Sequence, residues 1–201
     1  MLITTKFWVE GIERNLIMRL MEIRKILKHK SSKKNKESTL KFAPTVKKQY
    51  GVKVAALNEL VKKIEKPDFE LVEKLWESGF FEERLLASKI LGKICKTNPT
   101  KTLKLIKNFS KDISDWVVCD TLATQGIRKI INLKQKEIFE ISKKLVKSKN
   151  LWQRRFALVF LINFAKDKGF RQKIEEIIEK VKDDKEPYVK KAIIWLKNEL
   201  K

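Results

Sequence analysis

The sequence predicts an all-α protein built from a repeated pair of helices. Four alanines lie in similar helical contexts at separations of 36, 34 and 35 residues, namely Ala87, Ala123, Ala157 and Ala192. Only six glycines and four prolines occur among the 201 residues, which argues against a fold made of strands and turns. The hydrophobic content of 43% is enough for a buried core in a chain of this length. We therefore expect a single domain over residues 1–201.

The repeat unit consists of a basic amphipathic helix, a short polar break, an aromatic or bulky residue, and a second helix that carries the alanine. Paired helices that recur at a period of about 35 residues indicate a HEAT-like arrangement, in which each pair stacks on its neighbours because it cannot bury its apolar face alone. The predicted architecture is a HEAT-like helical-repeat solenoid, an α-α superhelix with a concave basic face. The repeats are expected over residues 40–201.

One further amphipathic helix is predicted before the repeats, over residues 12–30. The segment SSKKNKEST that follows, at residues 31–39, is basic and poor in apolar residues, so we expect a mobile loop there.

The starts of the repeat helices carry two kinds of signal. Three prolines precede apolar-periodic runs, as prolines in a first helical turn do: Pro67, Pro99 and Pro187. Three polar residues are predicted N-caps: Asn98, Asp115 and Asn150.

The chain is strongly basic, with 47 Lys and Arg against 25 Asp and Glu and a net charge of +22. Such a charge repels itself unless a polyanion is near, so nucleic acid is the first expected partner. The sequence has no long uncharged apolar segment and no signal-peptide pattern at its N-terminus, so we expect a cytoplasmic protein without a membrane span.

Several classes of site lack support. The two cysteines, Cys95 and Cys119, lie in helical patterns without CxxC spacing, and His29 is the only histidine. We therefore predict no metal site, and Cys119 is expected to be a buried small residue rather than a nucleophile. The few glycines form no phosphate-binding run, which disfavours nucleotide enzymes. Trp8 and Trp76 are predicted to be packing residues.

Asp120 stands out because it lies on an apolar helical stripe. At 100° per residue, Trp116, Asp120 and Ala123 share one face of a helix. An unpaired buried charge is costly, so Asp120 must be capped near the helix start, be paired with a cation or face a ligand. A structural carboxylate satisfied by a neighbouring repeat is the alternative to a functional one.

Arg155 is placed in the same way, with Val159 and Ile162 on the most apolar helix of the chain. A salt bridge between repeats and a ligand contact are both consistent with that position. Trp116, Trp152 and Trp195 lie on or near these stripes, where a tryptophan can serve either the core or a ligand.

Four segments carry a family resemblance. In order and spacing, Asp115-Trp116-Val117-Val118-Cys119-Asp120, the run NLWQRRFA at residues 150–157 and KAIIW at residues 191–195 resemble the signature of the AlkD-like DNA alkylation repair enzymes. YGVKV at residues 50–54 is similar to the stretch that opens an N-terminal helix in that family. These enzymes are HEAT-like DNA glycosylases, and the resemblance covers the chain from about residue 40 onward. Where some members carry a second tryptophan, position 115 holds Asp, which we expect to serve as a helix cap.

The resemblance implies a function and a set of roles. It implies hydrolysis of the N-glycosidic bond of cationic alkylated purines, of the 3-methyladenine and 7-methylguanine type, in duplex DNA. We expect no metal and no small-molecule cofactor, and a solenoid that wraps duplex DNA can act as a monomer. The resemblance places the catalytic carboxylate at Asp120, aromatic contacts to the lesion nucleotide at Trp116 and Trp195, and a phosphate- or lesion-positioning arginine at Arg155. The wider DNA-binding set adds Trp152, Arg154 and Lys191.

Two other functions remain open from the residues alone. One is a non-catalytic HEAT-repeat protein that binds bent or branched DNA, and the other is a scaffold for an acidic protein partner. Asp120 distinguishes them from an enzyme, because an anion in a phosphate-facing cleft would repel the ligand of a mere DNA binder.

Overall fold

The computed structural model describes the backbone of residues 2–201 and the side chains of residues 14–201. Every regular element in this part of the chain is a helix, which confirms the all-α prediction. The α-helices are α1 (Leu2–His29), α2 (Lys33–Phe42), α3 (Val54–Lys63), α4 (Phe69–Glu77), α5 (Phe81–Ile94), α6 (Pro99–Phe109), α7 (Trp116–Gln125), α8 (Gln135–Leu145), α9 (Leu151–Leu161), α10 (Arg171–Glu179) and α11 (Pro187–Glu199). Short 3-10 turns occur at Ile131–Leu133, Ile162–Phe164 and Lys168–Phe170.

The predicted repeat is present in the order of the helices. The helices α5, α7, α9 and α11 begin at residues 81, 116, 151 and 187, so they recur every 35 or 36 residues. Each of them carries one of the four repeat alanines, and each alanine has no exposed surface. A small side chain at this position lets neighbouring helices approach closely.

Most of the predicted helix starts are confirmed. The side chains of Asn98, Asp115 and Asn150 cap α6, α7 and α9 by accepting backbone hydrogen bonds. Proline occupies the first turn of α6 and of α11. Pro67 differs, because Asp68 is the N-cap of α4 and the proline therefore precedes the cap.

The prediction of a loop at residues 31–39 is wrong, because most of this segment belongs to α2. Ser32 caps the helix by accepting a hydrogen bond from the Asn35 amide, and Thr39 is buried. The lysines that indicated a solvated loop lie on the exposed faces of α2, so composition alone did not reveal the cap and the packed residue. The preceding helix α1 also begins earlier than residue 12, at Leu2.

Contacts divide the chain into two compact units, residues 1–87 and 88–201, with the boundary inside α5. In the first unit, two buried glutamates at the start of α5 hold the segment YGVKV. Glu82 accepts the backbone N–H groups of Tyr50, Gly51 and Val52 at 2.7 to 3.0 Å. Glu83 accepts the Tyr50 hydroxyl at 2.6 Å and the Arg24 guanidinium. This segment therefore has a structural role.

Gly51 is required where this segment passes the start of α2. Its φ of +82° lies in the left-handed region, and an added Cβ would lie 2.4 Å from Cγ of Lys36 and 2.6 Å from the Ser32 carbonyl oxygen. The Ser32 amide donates to the Gly51 carbonyl, which joins the two segments.

The second unit is organised around α9, which packs against α7, α8 and α11. Eight of its residues are buried, namely Trp152 and the run from Arg155 to Leu161. The unit therefore brings the second helices of three successive repeats to one place.

Trp76 is almost fully buried, as predicted for a packing residue. The side chain of Trp8 lies outside the described residues. Within residues 2–201, no helix has both the length and the apolar character that crossing a membrane requires.

Candidate functional site

The candidate site lies in the second unit, where α7, α9 and α11 meet. On α7, Asp115 fixes the first turn by accepting a hydrogen bond from the Val118 amide at 2.8 Å. Trp116 opens the helix, and Asp120 follows one turn later, so the two side chains share a face. The cap at Asp115 therefore fixes where α7 begins, and with it the position of Asp120 in the second turn of the helix.

Asp120 is paired with Arg155 of the next repeat. Arg155 donates from Nε to Oδ1 of Asp120 at 2.9 Å and from Nη2 to Oδ2 at 2.7 Å. The two side chains are 15% and 7% exposed, so this is a bidentate ion pair with little access to solvent. The helical pattern of α7 places the negative charge of Asp120 among apolar residues. Of the arrangements expected from the sequence, the structure shows pairing with a cation.

The Asp120 side chain retains a small exposed fraction, and the pKa of its carboxyl is shifted. Burial raises the pKa of Asp120 above its ordinary value, while the hydrogen bonds and the charge of Arg155 oppose that rise. Each carboxylate oxygen can accept more than one hydrogen bond, so pairing with Arg155 leaves acceptor capacity on both oxygens. The arrangement can present a fixed anion to a cationic group or a water molecule.

Cys119 is buried beside Asp120, as predicted. Burial raises the pKa of its thiol well above the ordinary value, and the negative charge of Asp120 adds to the effect. The thiol donates weakly to the Trp152 carbonyl, with Sγ 3.8 Å from the oxygen. A neutral thiol is a poor nucleophile, so Cys119 is not a candidate nucleophile.

Arg155 has a third contact, on α11. Its Nη1 donates to the backbone carbonyl oxygen of Tyr188 at 2.7 Å. The Tyr188 ring packs on the indole of Trp152, with centroids 4.8 Å apart and planes tilted by 41°. Because Trp152 lies three residues before Arg155 on α9, both contacts fasten α11 to the same turn of α9.

The tryptophans differ in exposure. Trp152 is 9% exposed and contributes mainly to packing. Trp116 and Trp195 are half-buried, and Trp195 donates from Nε1 to Glu199 at 3.2 Å. Lys191 is exposed one turn before Trp195 on α11. DNA contact by these four residues stays a prediction.

Arg154 points to a different partner than its neighbour. It donates from Nε to Oδ2 of Asp184 at 2.5 Å and from Nη2 to Oδ1 at 3.2 Å. Its Nη1 also donates to the carbonyl oxygens of Ser148 and Lys149. The structure thus brings Asp120, Arg155 and Trp152 together, with Trp116 one turn away on α7, and directs Arg154 to the connection between α10 and α11.

Sequence reasoning missed Tyr188 and Asp184 as parts of this arrangement. Tyr188 lies four residues before the repeat alanine of α11, in the break DKEPYVKKA, at the place where the repeat carries an aromatic or bulky residue. That position was a usable signal for the ring. The contact of Tyr188 with Arg155 was not predictable in this way, because a backbone carbonyl is present at every residue.

Comparison with known families gives a match over most of the chain. Residues 23–200 match the model of a family described as DNA alkylation repair enzyme. A comparison with curated proteins finds no match. The matched region contains every residue of the candidate site.

Proposed function

The chain belongs to the DNA alkylation repair enzyme family, and we propose that it is a DNA glycosylase that removes cationic alkylated purines from duplex DNA. The family makes DNA its partner. The observation that carries the more specific proposal is the Asp120 carboxylate, held by Arg155 in a strongly basic unit. We propose that the protein acts as a monomer on bases of the 3-methyladenine and 7-methylguanine type.

The alkylated bases of the proposed substrates are good leaving groups. Alkylation at N3 of adenine or N7 of guanine makes the base cationic, so the bond to the sugar can break without a general acid. Positive charge then moves to the deoxyribose, as in the oxocarbenium-like transition state of glycoside hydrolysis. The protein has to stabilise that charge and admit water.

Asp120 suits both tasks. A carboxylate fixed in place before the reaction stabilises developing positive charge without reorganising, and the loss of one such preorganised group costs about 3 to 4 kcal/mol in other enzymes. The free lone pairs of its oxygens can also accept a hydrogen bond from the attacking water, which orients that water toward the sugar.

Arg155 acts in this proposal by holding the carboxylate. Two parallel hydrogen bonds fix both the position and the plane of a carboxylate, which a single contact does not. The half-buried indoles of Trp116 and Trp195 would add cation–π attraction to the charged nucleotide, about 0.5 to 2 kcal/mol each.

The charge of the unit supports DNA binding near this site. Residues 88–201 contain 28 Lys and Arg against 13 Asp and Glu, which is +15 of the net +22. Such a surface attracts phosphates, and the binding weakens steeply with added salt.

A second candidate, a non-catalytic DNA-binding protein of the same family, is compatible with the same ion pair. Arg155 engages both oxygens of Asp120, and a purely structural carboxylate would have this same pairing. A protein-interaction scaffold is the third possibility from the sequence, and it predicts weak affinity for DNA.

The test compares base release by matched variants. Purified protein is incubated with duplex DNA that contains 7-methylguanine or 3-methyladenine, and the free base is quantified by mass spectrometry. Asp120→Asn is compared with Asp183→Asn, which removes an exposed carboxylate of the same unit. Release that needs Asp120 but not Asp183 supports the proposal. Tight DNA binding without release by the wild-type protein favours the non-catalytic candidate.

A further inference from the structure

Tyr188 lies on α11, outside the pair that carries the chemistry, but it contacts both Arg155 and the turn of α9 that bears it. We propose that Tyr188 is a positioning residue, whose backbone carbonyl and ring together hold Arg155 in the orientation that fixes the Asp120 carboxylate. This inference rests on the proposed function, because it assigns Tyr188 a role in the same site.

The first step is the connectivity of the guanidinium. Nε and Nη2 of Arg155 are used by Asp120, and Nη1 is used by the Tyr188 carbonyl at 2.7 Å. All three nitrogens are therefore engaged, and the side chain is only 7% exposed. If the carbonyl moves, the guanidinium plane turns with it, and the two hydrogen bonds to Asp120 lose their alignment.

The second step is what holds the carbonyl. The Tyr188 ring packs at 4.8 Å on Trp152, which is itself buried and lies one turn from Arg155 on the same helix. A tilted aromatic pair of this kind contributes attraction beyond simple burial. The contact between the two rings thus holds the first turn of α11 against the turn of α9 that carries Arg155.

The third step is the connection that leads to Tyr188. Asp184 accepts two hydrogen bonds from Arg154 and one from the Glu186 amide at 3.0 Å. Pro187 then fixes the backbone at the first position of α11. Two adjacent arginines of α9 therefore bind the segment that leads into α11. Arg154 binds Asp184 before the helix begins, and Arg155 binds the Tyr188 carbonyl in its first turn.

The consequence concerns the ionisation of Asp120. The charged groups that bear on it are Arg155 from α9, which favours the carboxylate, and burial, which opposes it. From α11, the contact that reaches this pair is the Tyr188 backbone carbonyl, which accepts a hydrogen bond from Arg155. Loosening of Arg155 should therefore raise the pKa of Asp120 further.

Two substitutions separate the ring from the hydroxyl. Tyr188→Phe keeps the ring and its contact with Trp152, whereas Tyr188→Leu keeps apolar bulk but loses the aromatic pair. Thermal unfolding of both variants identifies any that fail to fold, and in that case Trp152→Leu removes the same aromatic contact from the other side.

The primary readout is the pKa of Asp120, measured by carbon-detected NMR titration, which does not depend on enzymatic activity. We expect a rise in Tyr188→Leu and the wild-type value in Tyr188→Phe. An Asp120 pKa that is unchanged in Tyr188→Leu, or shifted equally in both variants, would overturn the inference.

Base release under single-turnover conditions is the second readout. We expect Tyr188→Leu to lower the rate constant of release by about tenfold or more while its Kd for DNA stays within about twofold, since a misplaced catalytic group can cost up to 100-fold. If the wild-type protein releases no base, the proposed function itself fails, and if Asp120→Asn retains wild-type release, the catalytic role of Asp120 fails. If Asp120→Asn is inactive but Tyr188→Leu keeps the wild-type rate, only the role of Tyr188 is refuted.

Discussion

The guanidinium of Arg155 meets the carboxylate of Asp120 edge to edge, with Nε 2.9 Å from Oδ1 and Nη2 2.7 Å from Oδ2. The two residues come from successive repeats, so one contact joins α7 to α9 and orients the carboxylate. We therefore expect both the stability of the second unit and the chemistry proposed for it to depend on this pair.

Breaking the pair from one side should destabilise the protein strongly. Arg155→Met leaves a buried carboxylate without its cation, a change that costs about 3 to 5 kcal/mol in other proteins. The free energy of unfolding from urea titration provides the measurement. In the double variant with Asp120→Asn, the loss should be smaller than the sum of the two single losses, because no charge is left unpaired. Strictly additive losses would show that the two side chains do not interact in solution.

The rate of base release should fall at low pH with a midpoint above the ordinary Asp value of 3.8. The reaction needs the ionised carboxylate, and burial raises the pKa of Asp120, so protonation begins at a higher pH than for an exposed aspartate. Single-turnover rates measured across the acid range, corrected for spontaneous base loss, test this. The residual rate of Asp120→Asn should lack this acid limb, and an identical limb in that variant would assign it to another group.

Asp184 has a pKa shifted in the opposite direction to that of Asp120, and it should contribute stability that is lost at low pH. Burial raises the pKa of Asp184, but hydrogen bonds from Arg154 and the Glu186 amide outweigh burial and hold the pKa below its usual value. Its contribution is therefore present above the unfolded-state pKa and is lost as the pH falls through the folded-state pKa. Between about pH 5 and pH 3, the wild-type protein should lose more unfolding free energy than Asp184→Asn. If the two proteins show equal slopes, the Arg154 contact is absent in solution.

DNA affinity should fall with salt, and Lys191 should account for part of the slope. Lys191 is exposed on α11, one turn before Trp195. If it binds a phosphate, Lys191→Ala should weaken binding similarly for all sequences and reduce the slope of log K against log salt by about one. Fluorescence anisotropy at several salt concentrations measures the slope. Lys144→Ala serves as the control, because Lys144 is an exposed lysine of α8, the first helix of its repeat pair. An equal effect of both variants would mean that α11 has no particular role in DNA binding.

Much of the fold was predictable because each repeat carries recognisable residues at fixed positions in the sequence. Burial of Ala123 and Ala157 at the helix contacts selects a small residue every 35 residues or so, and Asp115 and Asn150 mark the helix starts by capping them. The segment at residues 31–39 was missed because its lysines resemble a solvated loop, while the cap at Ser32 is a weaker signal.

Asp120 and Arg155 could be singled out from the sequence, but the contacts that connect them to each other and to α11 could not. The apolar stripe around Asp120 implied that the carboxylate has a partner or a ligand, and Arg155 on a similar stripe was a natural counterpart. Which cation pairs with which carboxylate depends on how the helices pack, so neither the Arg155–Asp120 pair nor the Arg154–Asp184 pair was predicted. The contact of Arg155 with the Tyr188 carbonyl could not be predicted from the sequence, because every residue has a backbone carbonyl.

The central claim is that Asp120 performs the chemistry, and a single-turnover experiment tests it most directly. Protein in excess over duplex DNA with one 7-methylguanine gives the rate constant of base release without a contribution from product dissociation. We predict that Asp120→Asn lowers this rate constant by about 100- to 1,000-fold while Asp183→Asn leaves it unchanged and both variants bind the DNA as the wild-type protein does. A rate constant for Asp120→Asn within about twofold of the wild-type value would contradict the account, because a difference that small corresponds to less than about 0.5 kcal/mol in the barrier.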